Sequence, residues 1–369
     1  MAVPLDSSFP LRLLDRGVGP SGPWACLLLV GASPQDLDAG LGPDSELNVS
    51  QRAEGVVVRG GLREVGALGT ALGGQRLGAA LRAAARALQR PPRPLRLGDH
   101  RWVFGHGTRL LGVVNTTSDS FSGDGVGSSS GAALDRAARM VEEGADAIDV
   151  GGESSRPGHL PVSAAEEMER TVPAVARIAL ALPVPVFVDT WKATVADAAL
   201  RAGAVCVNDI WGLRRDPEMA RVVAAHGAAV VAMHNRDLSG YHDLVGEVLS
   251  GLEESLKLAR TAGIPTSQVM LDPGIGFGKT PAESLKVLGH LDQLRLLGPP
   301  LLLGTSRKSM VGWLLGNRPV EKRLLGTAAT VAWAAWHGVD VVRVHDVAEM
   351  RDAALVASRL GQAERTDPW

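Results

Sequence analysis

A repeated pattern of apolar and polar residues runs through the chain from about residue 109. A helix-like stretch ends in glycine, a short apolar run follows, and polar residues come next, as in "ALRAGAVCVNDIWG" and "VVAAHGAAVVAMHN". The glycine suits a helix C-cap, and apolar runs without alternation are typical of strands buried on both faces. Eight such strands are predicted, at 109–117, 147–152, 185–190, 205–211, 229–235, 268–273, 300–306 and 340–346. Eight βα units in about 250 residues predict an α/β fold, a (β/α)8 TIM barrel, with a doubly wound sheet as the alternative.

The chain before this repeat has a different pattern. "WACLLLVGA" (24–32) and "AEGVVVRGG" (53–61) predict strands, "SPQDLDAGL" predicts a helix with Ser33 as its N-cap, and the Ala/Leu/Arg-rich stretch 62–90 predicts one long helix. The prolines of "QRPPRPLRLGDH" (89–100) indicate a linker, and a hairpin is predicted within 96–110. We therefore expect a small N-terminal α/β extension of unknown role at residues 1–95 and the barrel at 96–369.

Composition limits the class of protein and its location. The 369 residues are 45% hydrophobic with a formal net charge of -2, which suits a globular protein and argues against a nucleic-acid partner. No segment approaches the roughly 18 uninterrupted apolar residues of a membrane span, and the N-terminus lacks the pattern of a signal peptide. Cys26 and Cys206 are too few for a disulfide framework or a cysteine metal cluster. We expect a cytoplasmic protein with no membrane partner.

Polar side chains end every predicted strand of the barrel. In chain order they are Asn115, Asp149, Asp189, Asn208, His234, Asp272, the run Ser306-Arg307-Lys308, and Arg343 with His345. A TIM barrel places its chemistry at the carboxyl ends of its strands, and polar groups that converge there must bond to each other or to a ligand. A flat heterocycle with alternating donors and acceptors is suited by hydrogen-bond acceptors, an amide and a cation on the protein. These groups are offered by Asp189, Asn208, Asp272 and Lys308. The last strand's Arg343 and His345, with Asn115, suit an anion such as diphosphate.

The stretch "LDPGIGFGKT" (271–280) is similar to a phosphate-binding P-loop but departs from it. Counted back from Gly278-Lys279-Thr280, a P-loop requires glycine at the position that Pro273 occupies. We therefore predict that the glycines serve a sharp turn beside a ligand ring, that Asp272 is the functional residue, and that Lys279 is a solvated loop cation.

Ordered sequence blocks make the chain resemble the dihydropteroate synthases over about residues 109–360. The blocks are "GVVNTTSDSFS", "AIDVGGESSRPG", "VDTWKA", "VNDIWG", "DPGIGFGKT", "GTSRKS" and "VRVHDV". The resemblance implies a TIM-barrel transferase of folate biosynthesis, in a family that sulfonamides target. Its reaction joins p-aminobenzoate to 6-hydroxymethyl-7,8-dihydropterin diphosphate, which gives 7,8-dihydropteroate and diphosphate. It also implies Mg2+ as the cofactor.

The same resemblance implies roles for individual residues. Catalysis would depend on Asp189, Asp272, Lys308 and Asn115. The pterin would be bound by Asp189, Asn208, Asp272 and Lys308, in a pocket lined by Ile210, Met233, Phe277 and Gly304. The diphosphate would be bound by Asn115, Arg343 and His345, and Mg2+ by Asn115 and Asp119. The p-aminobenzoate would be framed by Phe121, Ser155, Arg156, Pro157 and Ser306.

Some residues depart from the family pattern, and two other functions stay open. Thr116 and Ser118 differ from the usual first loop, and the loss of a proline at Ser118 predicts a looser loop. A pterin-dependent methyltransferase would share the pterin pocket but would not need the diphosphate residues, and a pterin-binding paralogue without activity is the other alternative. We expect a homodimer, with Trp333 and Trp336 either at its interface or packed in the core.

Overall fold

An antiparallel sheet and two helices form the N-terminal part of the protein. The computed structural model describes residues 10–19, 22–38, 40–41, 45–73, 76–116, 129–153, 161–237 and 240–366. The strands pair in the order β1-β2-β4-β3 and are β1 (Leu11–Gly19), β2 (Gly22–Val30), β3 (Asn48–Arg52) and β4 (Gly55–Gly61). Helices α1 (Leu62–Ala71) and α2 (Arg76–Gln89) pack on this sheet, and a hairpin of β5 (Leu95–Leu97) and β6 (His100–Trp102) follows.

The N-terminal predictions are confirmed in part. β2 and β4 are the two predicted strands, and the predicted hairpin forms. The single helix predicted over 62–90 is wrong, because the chain leaves α1 at Gly73, whose φ of 66° lies in the left-handed region. The helix predicted after Ser33 is also wrong. Only a 3-10 turn forms there, at Pro34–Leu37, and the Asp36 carboxylate accepts hydrogen bonds from the Ser33 N–H and hydroxyl at 2.6 and 2.8 Å. The apolar pattern predicts neither β1 nor β3.

A closed barrel of eight parallel strands follows. Its strands are β7 (Arg109–Asn115), β8 (Ala147–Gly151), β9 (Val186–Asp189), β10 (Cys206–Asp209), β11 (Ala229–Met233), β12 (Val269–Asp272), β13 (Leu302–Leu303) and β14 (Val341–Val344). They pair in the order β12-β11-β10-β9-β8-β7-β14-β13, and a bridge between Leu271 and Leu301 joins the two ends. All eight predicted strands are confirmed, and closure excludes the doubly wound sheet.

Helices surround the barrel in the order that the repeat predicts. They are α3 (Ser130–Glu142), α4 (Ala164–Ala181), α5 (Ala193–Arg201), α6 (Met219–His226), α7 (Leu244–Thr261), α8 (Pro281–Leu288), α9 (Leu291–Leu294), α10 (Ser309–Leu314), α11 (Leu324–Trp336) and α12 (Val347–Thr366). None of the helices in the described residues is long and apolar enough to cross a membrane.

The β5–β6 hairpin closes the amino-terminal end of the barrel. Leu95, Leu97, Trp102 and Phe104 form one buried cluster with apolar residues from every barrel strand. The strand residues are Leu111, Ala147, Phe187, Cys206, Ala229, Val231, Met270, Leu302 and Val341. Because this apolar layer fills that half of the barrel, a ligand has room only at the carboxyl ends of the strands.

The N-terminal sheet unit, defined as the described part of residues 10–89, is attached to two helices on the outside of the barrel. Arg12 pairs with Asp243, the N-cap of α7. The side-chain amide of Gln293 in α9 accepts from the Leu13 N–H at 2.7 Å and donates to the Leu13 carbonyl. Both bonds to Gln293 are buried, so their loss would leave unsatisfied polar groups. The unit is therefore fixed to α7 and α9 near the fifth and sixth barrel strands.

Candidate active site

Polar residues follow the apolar layer by two positions along five strands. The pairs are Ala147 and Asp149, Phe187 and Asp189, Cys206 and Asn208, Met270 and Asp272, and Val341 and Arg343. Side chains two residues apart on a strand lie on the same face, so these polar groups project into the barrel above the apolar layer. Asp149, Asn208 and Asp272 are at most 4% exposed. The sequence pattern therefore builds a buried polar cluster at the carboxyl end of the barrel.

Arg343 connects three strands across this cluster. Its Nε donates to Asp149 Oδ2 and its Nη2 donates to Asp189 Oδ2, each at 2.6 Å. The Asn208 amide also donates to Asp149 Oδ2, at 2.9 Å. Asp149 thus orients two predicted site residues, although the sequence places it only among the polar strand ends and assigns it no ligand. Its position two residues after buried Ala147 is the feature that could have identified it.

Burial controls the protonation of the cluster. It raises the pKa of Asp189 to about 7, against the opposing effect of the Arg343 cation, and it raises the pKa of Asp272 against that of Lys308. Burial lowers the pKa of Lys308 to about 8. Burial also lowers the pKa of Arg343, but the carboxylates of Asp149 and Asp189 raise it by more, so the guanidinium stays charged. Such perturbed groups in one cleft are typical of a functional site.

The segment after β12 contributes the second side of the site. Lys308 Nζ donates to the Ile275 carbonyl at 2.5 Å and lies 4.6 Å from the centre of the Phe277 ring. The Asp272 carboxylate accepts from the Gly274 N–H at 2.7 Å. The structure therefore brings together a carboxylate, an ammonium and an aromatic ring that the sequence reasoning assigns to one pocket.

The prediction that Lys279 is a solvated cation is wrong. The residue is 8% exposed, and its ammonium donates to the carbonyls of Gly274 and Phe277, each at 3.1 Å. It also lies 3.0 Å from Nδ1 of His234. Burial lowers the pKa of Lys279 to about 7 and lowers the pKa of His234 well below its usual value. Spacing along the sequence cannot show that the loop folds its lysine inward.

The three predicted diphosphate residues lie on or directly after two neighbouring strands but have different partners. β7, which ends at Asn115, pairs with β14, which contains Arg343. The Arg343 guanidinium is bound by carboxylates, whereas His345 Nδ1 lies 2.9 Å from the Ser306 hydroxyl oxygen. Burial lowers the pKa of His345 to about 3, so its imidazole is neutral. Asn115 is partly exposed at the end of its strand.

The predicted lining residues surround the polar cluster. Met233 is 3% exposed at the end of β11, and Ile210 is partly exposed directly after β10. A Cβ atom at Gly304 would lie 3.7 Å from Lys308 Nζ and 3.8 Å from Arg343 Cβ. Glycine at this position leaves the space between these two cations open.

The rest of the predicted p-aminobenzoate and metal residues lie outside the described part of the chain. They are Asp119, Phe121, Ser155, Arg156 and Pro157. Side-chain hydrogen bonds hold the described ends of the two loops that contain these residues. Thr116 donates from its hydroxyl to the Gly151 carbonyl at 3.1 Å. Lys192 bonds Glu153 at 2.9 Å and the Val162 carbonyl at 2.7 Å, so one ammonium fixes both ends of the second loop.

Comparisons with known proteins identify the family. A family model described as pterin binding enzyme matches residues 111–345. The dihydropteroate synthase of Bacillus subtilis (strain 168) is 48% identical over 254 residues, which are 67% of this chain and 89% of that protein. The structure of the Xanthomonas albilineans dihydropteroate synthase with 4-aminobenzoic acid has a TM-score of 0.69 and 39% identity and covers 75% of this chain and 100% of that one. A sulfonamide complex of the Yersinia pestis enzyme has a TM-score of 0.70 and 36% identity and covers 73% and 100%.

The barrel, its polar mouth and the matched family define a pterin-binding enzyme. More narrowly, the chain belongs to the dihydropteroate synthases. The predicted barrel fold, the transferase class and the place in folate biosynthesis are thereby confirmed, and the relatives favour the synthase over a pterin-dependent methyltransferase.

Proposed function

We propose that the mouth cluster, defined as Asp189, Asn208, Asp272 and Lys308, binds the pterin of 6-hydroxymethyl-7,8-dihydropterin diphosphate. The observation that supports this is the position of these groups above an apolar layer, with Asn208 and Asp272 buried and Asp189 and Lys308 partly buried. A pterin edge offers N–H donors beside acceptors, and these match the carboxylates, the amide and the ammonium.

Arg343 exchanges partners in this proposal. Its guanidinium donates to Asp189 from Nη2, and the pterin edge would present N–H donors to the same carboxylate. Binding of the pterin therefore displaces the guanidinium from Asp189. The freed cation then bonds the diphosphate, with His345 and Asn115 on the same side of the mouth, because arginine suits phosphate oxygens.

The reaction is a substitution at the methylene carbon of the pterin. The C–O bond breaks, and its electron pair leaves with the diphosphate, whose charge Arg343 and His345 stabilise. The carbon is left electron-poor and is stabilised by the pterin ring and by the facing carboxylates of Asp189 and Asp272. The amine lone pair of p-aminobenzoate forms the C–N bond, and the amine proton is released to solvent. A neutral aromatic amine is already a nucleophile, so no general base is needed.

The p-aminobenzoate side of the site is supported by Ser306 within the described residues. Its hydroxyl is buried beside His345, between the proposed diphosphate and p-aminobenzoate positions. The Xanthomonas enzyme binds 4-aminobenzoic acid and the Yersinia enzyme a sulfonamide drug, so we propose that both bind this chain with Phe121, Ser155, Arg156 and Pro157 completing the pocket. Free Cys26 and Cys206 support a cytoplasmic location.

Mg2+ is the proposed cofactor. No cluster of three or more His, Cys, Asp or Glu suited to a metal occurs in the described residues. In this proposal, oxygens of the bound diphosphate supply ligands of the ion. The amide oxygen of partly exposed Asn115 fits that role, and Asp119 would supply a second ligand. The ion would neutralise charge on the departing diphosphate. Chelation with EDTA should abolish diphosphate binding by the protein in calorimetry, and added Mg2+ should restore it.

The proposed homodimer uses the exposed apolar side chains of α11 and α12, which pack against each other. These side chains are Leu325 (80% exposed), Trp333 (44%), Leu355 (54%), Val356 (59%) and Leu360 (54%). Large exposed apolar patches are typical of interaction sites, and these side chains are the candidates for one here. Leu325→Glu with Leu355→Glu should give a monomer in sedimentation velocity, whereas Leu180→Glu, at an exposed site on α4, should leave a dimer. A monomeric wild type would overturn the proposal.

The assay of the pterin proposal compares two Asp→Asn substitutions. Purified wild type, given the pterin diphosphate, p-aminobenzoate and Mg2+, should form dihydropteroate, and failure to do so would favour the inactive paralogue. Asp272→Asn should lose turnover while it keeps its fold and its binding of inorganic diphosphate. Asp237→Asn, at an exposed site after β11, should retain turnover. Unchanged turnover in Asp272→Asn would show that the pterin lies elsewhere.

A further inference from the structure

Lys279 is a buried ammonium that the proposed reaction does not use. It lies in the loop 273–279, which connects Asp272 at the end of β12 to the N-cap of α8, Thr280. A lysine is rarely buried unless its charge has partners. The partners here are two carbonyls of its own loop and the end of β11, where His234 offers Nδ1 at 3.0 Å.

The loop depends on side chains for its shape. It makes few hydrogen bonds of its own: the Phe277 N–H donates to the Gly274 carbonyl at 3.1 Å, and the Gly276 N–H donates to Ser284 at 3.1 Å. Two ammonium groups bond three of its carbonyls. Lys308 bonds Ile275 from the mouth, and Lys279 bonds Gly274 and Phe277 from the side of β11.

The geometry connects Lys279 to the Asp272 carboxylate through one residue. The carbonyl of Gly274 accepts from Lys279, and the N–H of the same residue donates to Asp272 Oδ1 at 2.7 Å. There is no spare room in this contact, because a Cβ at Gly274 would lie 1.9 Å from the His234 carbonyl oxygen. Gly274 is therefore held on both sides, its N–H by Asp272 and its carbonyl by Lys279.

We propose that Lys279 is a positioning residue for pterin recognition. Its ammonium fastens the loop 273–279 to the end of β11 and so holds the Asp272 carboxylate and the Phe277 ring where the pterin binds. Lys279 itself does not contact the pterin. This inference rests on the proposed pterin pocket, and it predicts that the loss of Lys279 impairs pterin binding more than diphosphate or p-aminobenzoate binding.

The test measures three affinities in matched variants. Lys279→Met removes the ammonium, Lys279→Gln keeps donors without the charge, and Lys286→Met is the control, an exposed lysine on α8. Calorimetry gives the Kd of 6-hydroxymethylpterin and of inorganic diphosphate with Mg2+, and steady-state kinetics give KM for p-aminobenzoate. Lys279→Met should weaken pterin binding by about ten- to a hundredfold, since small misplacements have such effects, with the other two values within about twofold. Lys279→Gln should fall between this variant and wild type.

Each other outcome overturns an identifiable part of the argument. Unchanged pterin affinity, or an equal loss of all three affinities, would assign Lys279 a general structural role. The same would follow if both Lys279 variants lacked a cooperative urea transition while Lys286→Met folded. Asp272→Asn is measured alongside. If it weakens pterin binding and Lys279→Met does not, only this inference fails, and if neither does, the pocket assignment itself fails.

Discussion

Removal of the Arg343 guanidinium should destabilise the protein strongly, because it leaves two carboxylates buried without their cation. Asp149 is fully buried, the Asp189 side chain is 12% exposed, and both bond Arg343 at 2.6 Å. Opposite charges at 2.6 Å attract by about 6 kcal/mol per pair at an effective dielectric constant of about 20, and desolvation offsets much of this attraction. Loss of one partner of a buried pair typically costs about 3–5 kcal/mol, so we expect this loss for Arg343→Met above pH 7.

The pH dependence of this loss follows from the carboxylates. The pKa of Asp189 is raised to about 7 by burial, although Arg343 opposes the rise. In Arg343→Met the pKa of Asp189 is higher still, because the cation is gone. The loss of stability is then greatest when the Asp189 carboxylate is ionised, and it shrinks as protonation neutralises that carboxylate. The difference in stability between wild type and Arg343→Met should therefore be greatest above pH 7 and should decrease as the pH falls.

Urea unfolding followed by tryptophan fluorescence and circular dichroism measures both effects. Asp149→Asn removes one buried charge. It should therefore lower the free energy of unfolding less in the Arg343→Met background than in wild type, with a coupling energy above about 1 kcal/mol. Arg201→Met, in an exposed pair with Asp197, should stay within about 1 kcal/mol of wild type. Additive costs for the two buried substitutions, or a cost for Arg343→Met no larger than that for Arg201→Met, would refute the reasoning.

Three other predictions concern the pH profile, the glycine loop and the hairpin. Because burial raises the pKa of Asp189 to about 7, kcat/KM for the pterin substrate should fall by about tenfold per unit below pH 7, and Asp189→Asn should lack this limb in a pH-rate profile. Gly274 has a φ of 71° and lies beside the His234 carbonyl. Gly274→Ala should therefore lower the free energy of unfolding by more than the roughly 1–2 kcal/mol that a left-handed conformation costs a residue with a side chain. Gly227 has a φ of 58° but faces open space, so Gly227→Ala should lower the free energy of unfolding, measured with urea, by only that amount. Phe104→Ala, in the apolar layer, should lower the free energy of unfolding by about 3–5 kcal/mol but leave KM for both substrates unchanged. An altered KM would contradict the conclusion that the apolar layer is separate from the active site.

Much of the barrel could be predicted because each βα unit repeats the same local chemistry. A run of apolar residues and a polar strand end recur at all eight strands, and a glycine that ends the preceding α-helix recurs before five of them. Gly227 shows the physical basis: it ends α6 in the left-handed conformation at φ 58°. The same logic identified Asp189, Asn208 and Asp272 as members of one buried cluster.

The features that could not be predicted depend on contacts between distant segments. Lys279 is charged and lies among glycines, so the sequence favours exposure, and only the folded loop shows that His234 and two carbonyls surround it. Arg343 suits an anion by its chemistry, whereas the fold places Asp149 and Asp189 beside it. β1 and β3 contain charged and polar residues that interrupt the apolar pattern of a strand. β3 can contain them because it is an edge strand with mostly exposed side chains.

The amide of Gln293 has a consequence for self-association of the protein. β1 is an edge strand, and such an edge can recruit a strand from another chain and begin aggregation. Gln293 accepts from and donates to the backbone of Leu13, so a helix side chain takes the place that a foreign strand would occupy. The opposite edge, β3, is lined by Asn48, Ser50, Gln51 and Arg52, whose hydration opposes stacking. An extension that could have made this enzyme prone to form intermolecular sheets is therefore protected along both of its borders.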